Sequence, residues 1–130
     1  MEKDLLKIIR LLNRHKIKYL LIGGYAAVLY GVPRATFDID IAIASDPKEE
    51  EKTINLLSSK LGFIEKGKLE GGIRLTKGDI DLDIMFIESH KFKFFYEYHE
   101  KLPYKGAIIK LPNMMDLTCI SAISVTMFDP

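Results

Sequence analysis

The sequence predicts an α/β domain, in which helices and strands alternate along the chain around one core. Three observations predict it. Residues 36–43 alternate strictly, with Phe37, Ile39, Ile41 and Ile43 on one face and Thr36, Asp38, Asp40 and Ala42 on the other. That period of two belongs to a strand with one face on a core. Residues 80–87, IDLDIMFI, repeat the pattern, setting Ile80, Leu82, Ile84 and Phe86 against Asp81, Asp83, Met85 and Ile87. Residues 2–14 instead carry Leu5, Ile8, Ile9 and Leu12 at the spacing of a buried helical stripe. A length of 130 residues suits a single domain, 1–130, with one core.

In order, the first helix spans 2–14, with Lys3, Lys7, Arg10 and Arg14 as its solvated face. Lys18 to Ile22 is a nearly continuous apolar run, expected of a buried strand. Gly23 and Gly24 turn the chain into a short helix, AAVLY, closed by Gly31, and the strand at 36–43 follows. Asp46 can cap the next helix, Pro47 fits its first position, and Glu49 completes a D-x-x-E form of the capping box. Ile54, Leu57 and Leu61 make its buried stripe, and Gly62 stops it. Phe63 to Lys66 and Ile73 to Thr76 read as short strands, with turns at Gly67 and at Gly71-Gly72. Lys77-Gly78-Asp79 turns into the strand at 80–87. Phe92, Phe95, Tyr96 and His99 fit one helical face within 91–102, a spacing that suits core packing better than base stacking. Tyr104 to Leu111 reads as a strand, Pro112-Asn113 as a turn, and 115–126 as a final apolar helix.

Composition sets the class. With 48% hydrophobic and 28% charged residues the chain reads as an ordinary globular protein. A net charge of +1 gives no global argument for nucleic-acid or membrane binding, and no local basic run is visible. A single cysteine, Cys119, excludes an intramolecular disulfide and a Cys-rich zinc site. In its apolar stretch it should behave as a small buried hydrophobe. Lys3, Asp4 and Lys7 interrupt any signal-peptide pattern, and no apolar run is long enough to span a membrane. The expected setting is the reducing cytoplasm.

The polar faces carry the chemistry. Asp38 and Asp40 point the same way with Cα atoms roughly 6–7 Å apart. Two carboxylates so placed repel unless a cation sits between them, and a divalent ion takes carboxylate oxygens well. The Gly23-Gly24 turn lets the backbone approach a ligand, and the following helix start offers N–H groups suited to phosphate. Asp81 and Asp83 form a second same-face pair. If the two strands lie side by side, their carboxylates would cluster around one or two Mg²⁺ ions, one activating the attacking oxygen and one holding a triphosphate. Alternation cannot choose between Asp81 and Asp83.

GGYAAVLYGVPRATFDIDIAI resembles the signature of the DNA polymerase β-type nucleotidyltransferase superfamily: a glycine turn, a short helix, then paired aspartates on a strand. The spacing GG-x-A…G-x-x-R-x-T-x-D-I-D is similar to the small prokaryotic AbiEii-type branch. The resemblance covers roughly Ile17 to Leu117. It implies a mixed sheet flanked by helices, Mg²⁺ or Mn²⁺ on Asp38, Asp40 and a third carboxylate, and an NTP held at Gly23, Gly24 and Tyr25. The order of elements after LDIMF favours Asp83 as the third carboxylate, with Asp81 the other choice. Arg34 matches the pattern as a contact to phosphate or to an acidic neighbour, and Thr36 matches on the aspartate face.

The implied activity moves an NMP group from an NTP, such as ATP, to a hydroxyl of RNA or protein, in a setting of toxin–antitoxin pairs. Two departures support a second reading, a weak or inactive module that binds a partner. Ser121 stands where that branch carries a lysine, and the sequence ends at Pro130, before further helices of the branch. A metal-dependent phosphohydrolase would use the same carboxylates but gives the glycine turn a less clear role. The final helix is apolar around much of its circumference, through Met115, Leu117, Cys119, Ile120, Ile123, Val125 and Met127. That pattern predicts cover from a second copy or an antitoxin-like partner.

Overall fold

The structure, a computed structural model, describes residues 1–32 and 38–120. A five-stranded mixed sheet lies at its centre. Strands β1 (Leu20–Ile22), β2 (Ile39–Ala44), β3 (Ile64–Leu69), β4 (Gly72–Lys77) and β5 (Ile80–Ile87) stand in the order β1-β2-β5-β4-β3. β2 and β5 run parallel, and the other pairs are antiparallel. Helices α1 (Glu2–Arg14), α2 (Gly23–Leu29), α3 (Pro47–Leu61) and α4 (Ser89–Glu97) flank the sheet. β6 (Glu100–Tyr104) and β7 (Ala107–Leu111) form a separate two-stranded hairpin. Residues 114–120 are helical.

The apolar faces predicted for the two aspartate strands pack in the core, but past the aspartates the other face is buried as well, at Ala42, Met85 and Ile87, while Phe86 is only partly buried. Ile39, Ile41, Leu82 and Ile84 are wholly buried. A parallel pair needs a crossover connection, which α3 and the β3–β4 hairpin supply between β2 and β5. Leu5, Ile8, Ile9 and Leu12 of α1 are also wholly buried, each contributing about 2 kcal/mol of transfer free energy. α1 is tied to the β6–β7 hairpin by Asn13, whose Nδ2 donates to the Ile108 carbonyl at 2.7 Å. The Tyr19 hydroxyl donates to Asn13 Oδ1 at 3.0 Å from within the core.

Several local expectations are corrected. Asp46 is the N-cap residue of α3 and Pro47 its first residue, but the Asp46 side chain makes no capping hydrogen bond. α4 ends at Glu97 rather than near 102, and its capping group is Glu88, which accepts from the His90 and Lys91 N–H groups at 3.1 and 3.3 Å. The strand expected at Tyr104 to Leu111 is shorter, Ala107–Leu111, and pairs with Glu100–Tyr104 as a hairpin. It turns on Lys105 and Gly106, at φ 48° and 83°, which suits a two-residue loop needing positive φ at both central positions. Gly67 is no turn but lies inside β3 beside a register shift between Glu65 and Gly67. Cys119 is exposed, because Asp116, Leu117 and Ile120 take the inward face of their turn. Residues Ser121, Ile123, Val125 and Met127 lie outside the described residues, and so do Arg34 and Thr36. Among the described residues no helix is long and apolar enough to cross a membrane.

Candidate active site

Register brings the acidic pairs together. Across the parallel pair, Asp40 stands opposite Asp83. On the other side of β5, Arg74 stands opposite Asp83 and Thr76 opposite Asp81. On the far side of β2, Ile22, the last residue before the glycine turn, stands opposite Asp40. Adjacent strands lie about 4.8 Å apart, so Asp40, Asp83 and Arg74 form one row across three strands. Asp38 and Asp81 flank that row.

The glycine turn closes the row from above. Gly23 opens α2 at φ 73°, in the left-handed region, and a Cβ placed there would collide with the Asp40 carboxylate. Only glycine fits this position on both counts. No side chain caps the start of α2. Gly24 and Tyr25 follow on the same short helix, half-buried, with Tyr25 packed against the core.

Two cations that the sequence did not single out stand among the carboxylates. Arg74 Nε donates to Asp83 Oδ1 at 2.6 Å and its Nη2 to Asp83 Oδ2 at 2.8 Å, a bidentate pair. The same guanidinium lies 3.7 Å from Asp38 and 3.9 Å from Asp81. Lys66 Nζ reaches Asp81 at 3.2 Å. Lys66 sits at the register shift in β3, where an extra residue re-aims a side chain. Period two places Arg74 and Thr76 on one polar face, but nothing local says which strand lies next to them.

The charges explain the titration. Burial, and then the Asp83 charge, push Asp38 above the usual carboxylate range, with Arg74 opposing. For Asp81 burial works upward, but hydrogen bonds from Thr76 and Lys66 outweigh it and hold the group low. The Asp83 contact raises Arg74 further, so it stays a cation.

The donor set is all carboxylate oxygen, the chemistry a hard divalent cation takes. Asp38, Asp40 and Asp83 would hold such an ion, with Asp83 released from or shared with Arg74. Among the described residues no group of three or more His, Cys, Asp or Glu side chains is gathered closely enough to hold a metal as they stand. The Arg74 guanidinium lies against three of these aspartates, Asp38, Asp81 and Asp83.

No protein-family model matches the chain, and no curated protein matches it either. Solved structures do. A Thermotoga maritima protein named as a nucleotidyltransferase, TM1012, superposes with TM-score 0.75 at 16% identity, covering 95% of this chain and 84% of its own. ANT(2″)-Ia in complex with adenylyl-2″-tobramycin gives TM-score 0.69 at 16% identity, over 95% of this chain and 75% of that one. A solution structure of ANT(2″)-Ia gives 0.68 over 97% and 74%. The mixed sheet with its flanking helices therefore has the nucleotidyltransferase fold.

Proposed function

We propose that this protein is a Mg²⁺- or Mn²⁺-dependent nucleotidyltransferase, moving an NMP group from an NTP to a hydroxyl of RNA or protein. The observation that carries the reading is the Asp40–Asp83 register with Gly23 seated on Asp40. Asp38, Asp40 and Asp83 hold the divalent ion, and the amides at Gly23, Gly24 and Tyr25 receive the triphosphate. A bound ion would neutralise the phosphates and activate the acceptor oxygen. Arg34 and Thr36 belong to the same nucleotide site by their motif. ATP is the first nucleotide to try, since ANT(2″)-Ia is seen in complex with adenylyl-2″-tobramycin. The AbiEii-type branch and a toxin–antitoxin role rest on the motif alone.

The Arg74–Asp83 pair favours a second reading, a weak or inactive member that binds a partner. In that reading the guanidinium permanently takes the charge-neutralising role. Incubation with each labelled NTP, Mg²⁺, and total RNA or lysate separates the two. Label transferred to RNA or protein supports the enzyme, and no transfer with any NTP under Mg²⁺ or Mn²⁺ supports the module.

A further inference from the structure

Basic residues scattered along the sequence meet at the other end of β2. Lys16 and Lys18, Lys52 on α3 and Lys93 on α4 line one cleft with Tyr96, and Ala44 forms part of its wall. A second cleft shares Lys16, Lys18 and Tyr96 and adds Lys101 and Lys110 from the β6–β7 hairpin. Shared walls make the two one groove. Ala44 lies four residues beyond Asp40 on β2, which puts the groove roughly 13 Å from the acidic row at the rise of a strand.

Positive charge is in large excess in this groove, six lysines against Glu49 among the described residues. Five of the six lysines are exposed, and among the described residues none of the six forms an ion pair with a carboxylate. Glu49 also lines the first cleft and, among the described residues, forms no ion pair. Lys110 Nζ donates to the Tyr96 hydroxyl at 2.9 Å and stands 5.4 Å from the centres of both the Tyr19 and Tyr96 rings. Lys18 Nζ stands 5.8 Å from the Tyr96 ring centre. Two ammonium groups over one ring, in a groove lined by six lysines and a single carboxylate among the described residues, call for a ligand with repeated negative charge. Lysine is a point charge rather than a fork, so it neutralises a backbone without reading bases.

We propose that this groove holds the phosphate backbone of an RNA, which makes RNA rather than protein the acceptor. The acceptor role rests on the nucleotidyltransferase reading; the binding does not. A length of groove with several cations suits a chain of phosphates better than one small anion.

The test is fluorescence anisotropy of the full chain with a labelled short single-stranded RNA across a salt series. Six contacts predict a slope of log affinity against log salt near about −4. The double variant Lys18→Glu/Lys93→Glu should weaken binding about tenfold and flatten the slope by about 1.4. Lys52→Gln/Lys101→Gln should show the same trend through neutral, exposed substitutions, with an unchanged melting curve as the check on folding. Asp40→Asn should bind RNA as well as the wild type, which separates this groove from the chemistry. Lys7→Glu/Arg14→Glu, the same charge change on the outer face of α1, should leave affinity near wild type. Equal loss in that control, no RNA binding at low salt, or competition by polyglutamate as strong as by RNA would each overturn the proposal.

Discussion

Arg74 grips Asp83 through two hydrogen bonds, at 2.6 and 2.8 Å, and the Nη2 that makes the second of them also lies 3.7 Å from Asp38. One guanidinium thus serves carboxylates from two strands. Asp83 is only 7% exposed, so without that partner its carboxylate oxygens would be left away from water with no strong donor. Arg74→Ala should destabilise the metal-free fold by about 2–3 kcal/mol, the cost of leaving a buried carboxylate unpaired. Millimolar Mg²⁺ or Mn²⁺ should raise the melting temperature of the wild type by mass action and that of Arg74→Ala by more. Asp40→Asn should lose most of the gain. Identical metal shifts in all three proteins would remove the metal from these carboxylates.

The two aspartates of β5 should separate in a transfer assay. Asp83 lies in register with Asp40, whereas Asp81 is held by Lys66 toward the β3 edge. Asp83→Asn should abolish transfer and Asp81→Asn only weaken it. The reverse result would mean that the reacting row lies one pair of residues nearer the start of β5.

Stability near Asp38 should depend on pH with a definite sign. Its folded-state pKa is raised above the ordinary 3.8, chiefly by burial and then by the Asp83 charge. The folded protein therefore holds this proton more tightly than the unfolded chain, and stability falls as pH rises through the range just above 3.8. Asp81 works the opposite way, its contribution being lost as pH falls below 3.8. Asp38→Asn should remove the first trend and raise metal-free stability at neutral pH, measured by denaturant melts from acid to neutral. Unaltered pH dependence in that variant would contradict the assignment.

Gly23→Ala should be the most costly small change in the turn. It places a side chain at φ 73° and against the Asp40 carboxylate at once. Strain of this kind costs about 1–3 kcal/mol, and displacement of Asp40 should remove transfer as well. Gly31→Ala, also at positive φ (90°) but with nothing near its missing Cβ, separates backbone strain from the collision. It should lose stability while leaving Asp40 in place. Equal loss of transfer in both variants would show that the collision at Asp40 is not the cause.

Period two in the sequence by itself determined that Asp38 and Asp40 share a face, and that Asp81 and Asp83 share another. Helical spacing determined the buried stripe of α1, and Gly62 at φ 81° the end of α3. These are local properties, set by backbone geometry within a few residues. Only the tertiary structure decided that Asp40 faces Asp83, that Arg74 lies on the far side of the same carboxylate, and that Lys66 is turned toward Asp81 by a shift in β3. It also decided that Cys119 faces outward and that six separated lysines share one groove. Strand order and register follow from which apolar faces bury one another across long stretches of chain. A local pattern carries no record of that partner, so the residue that neutralises Asp83 could not be named until the strands were set side by side.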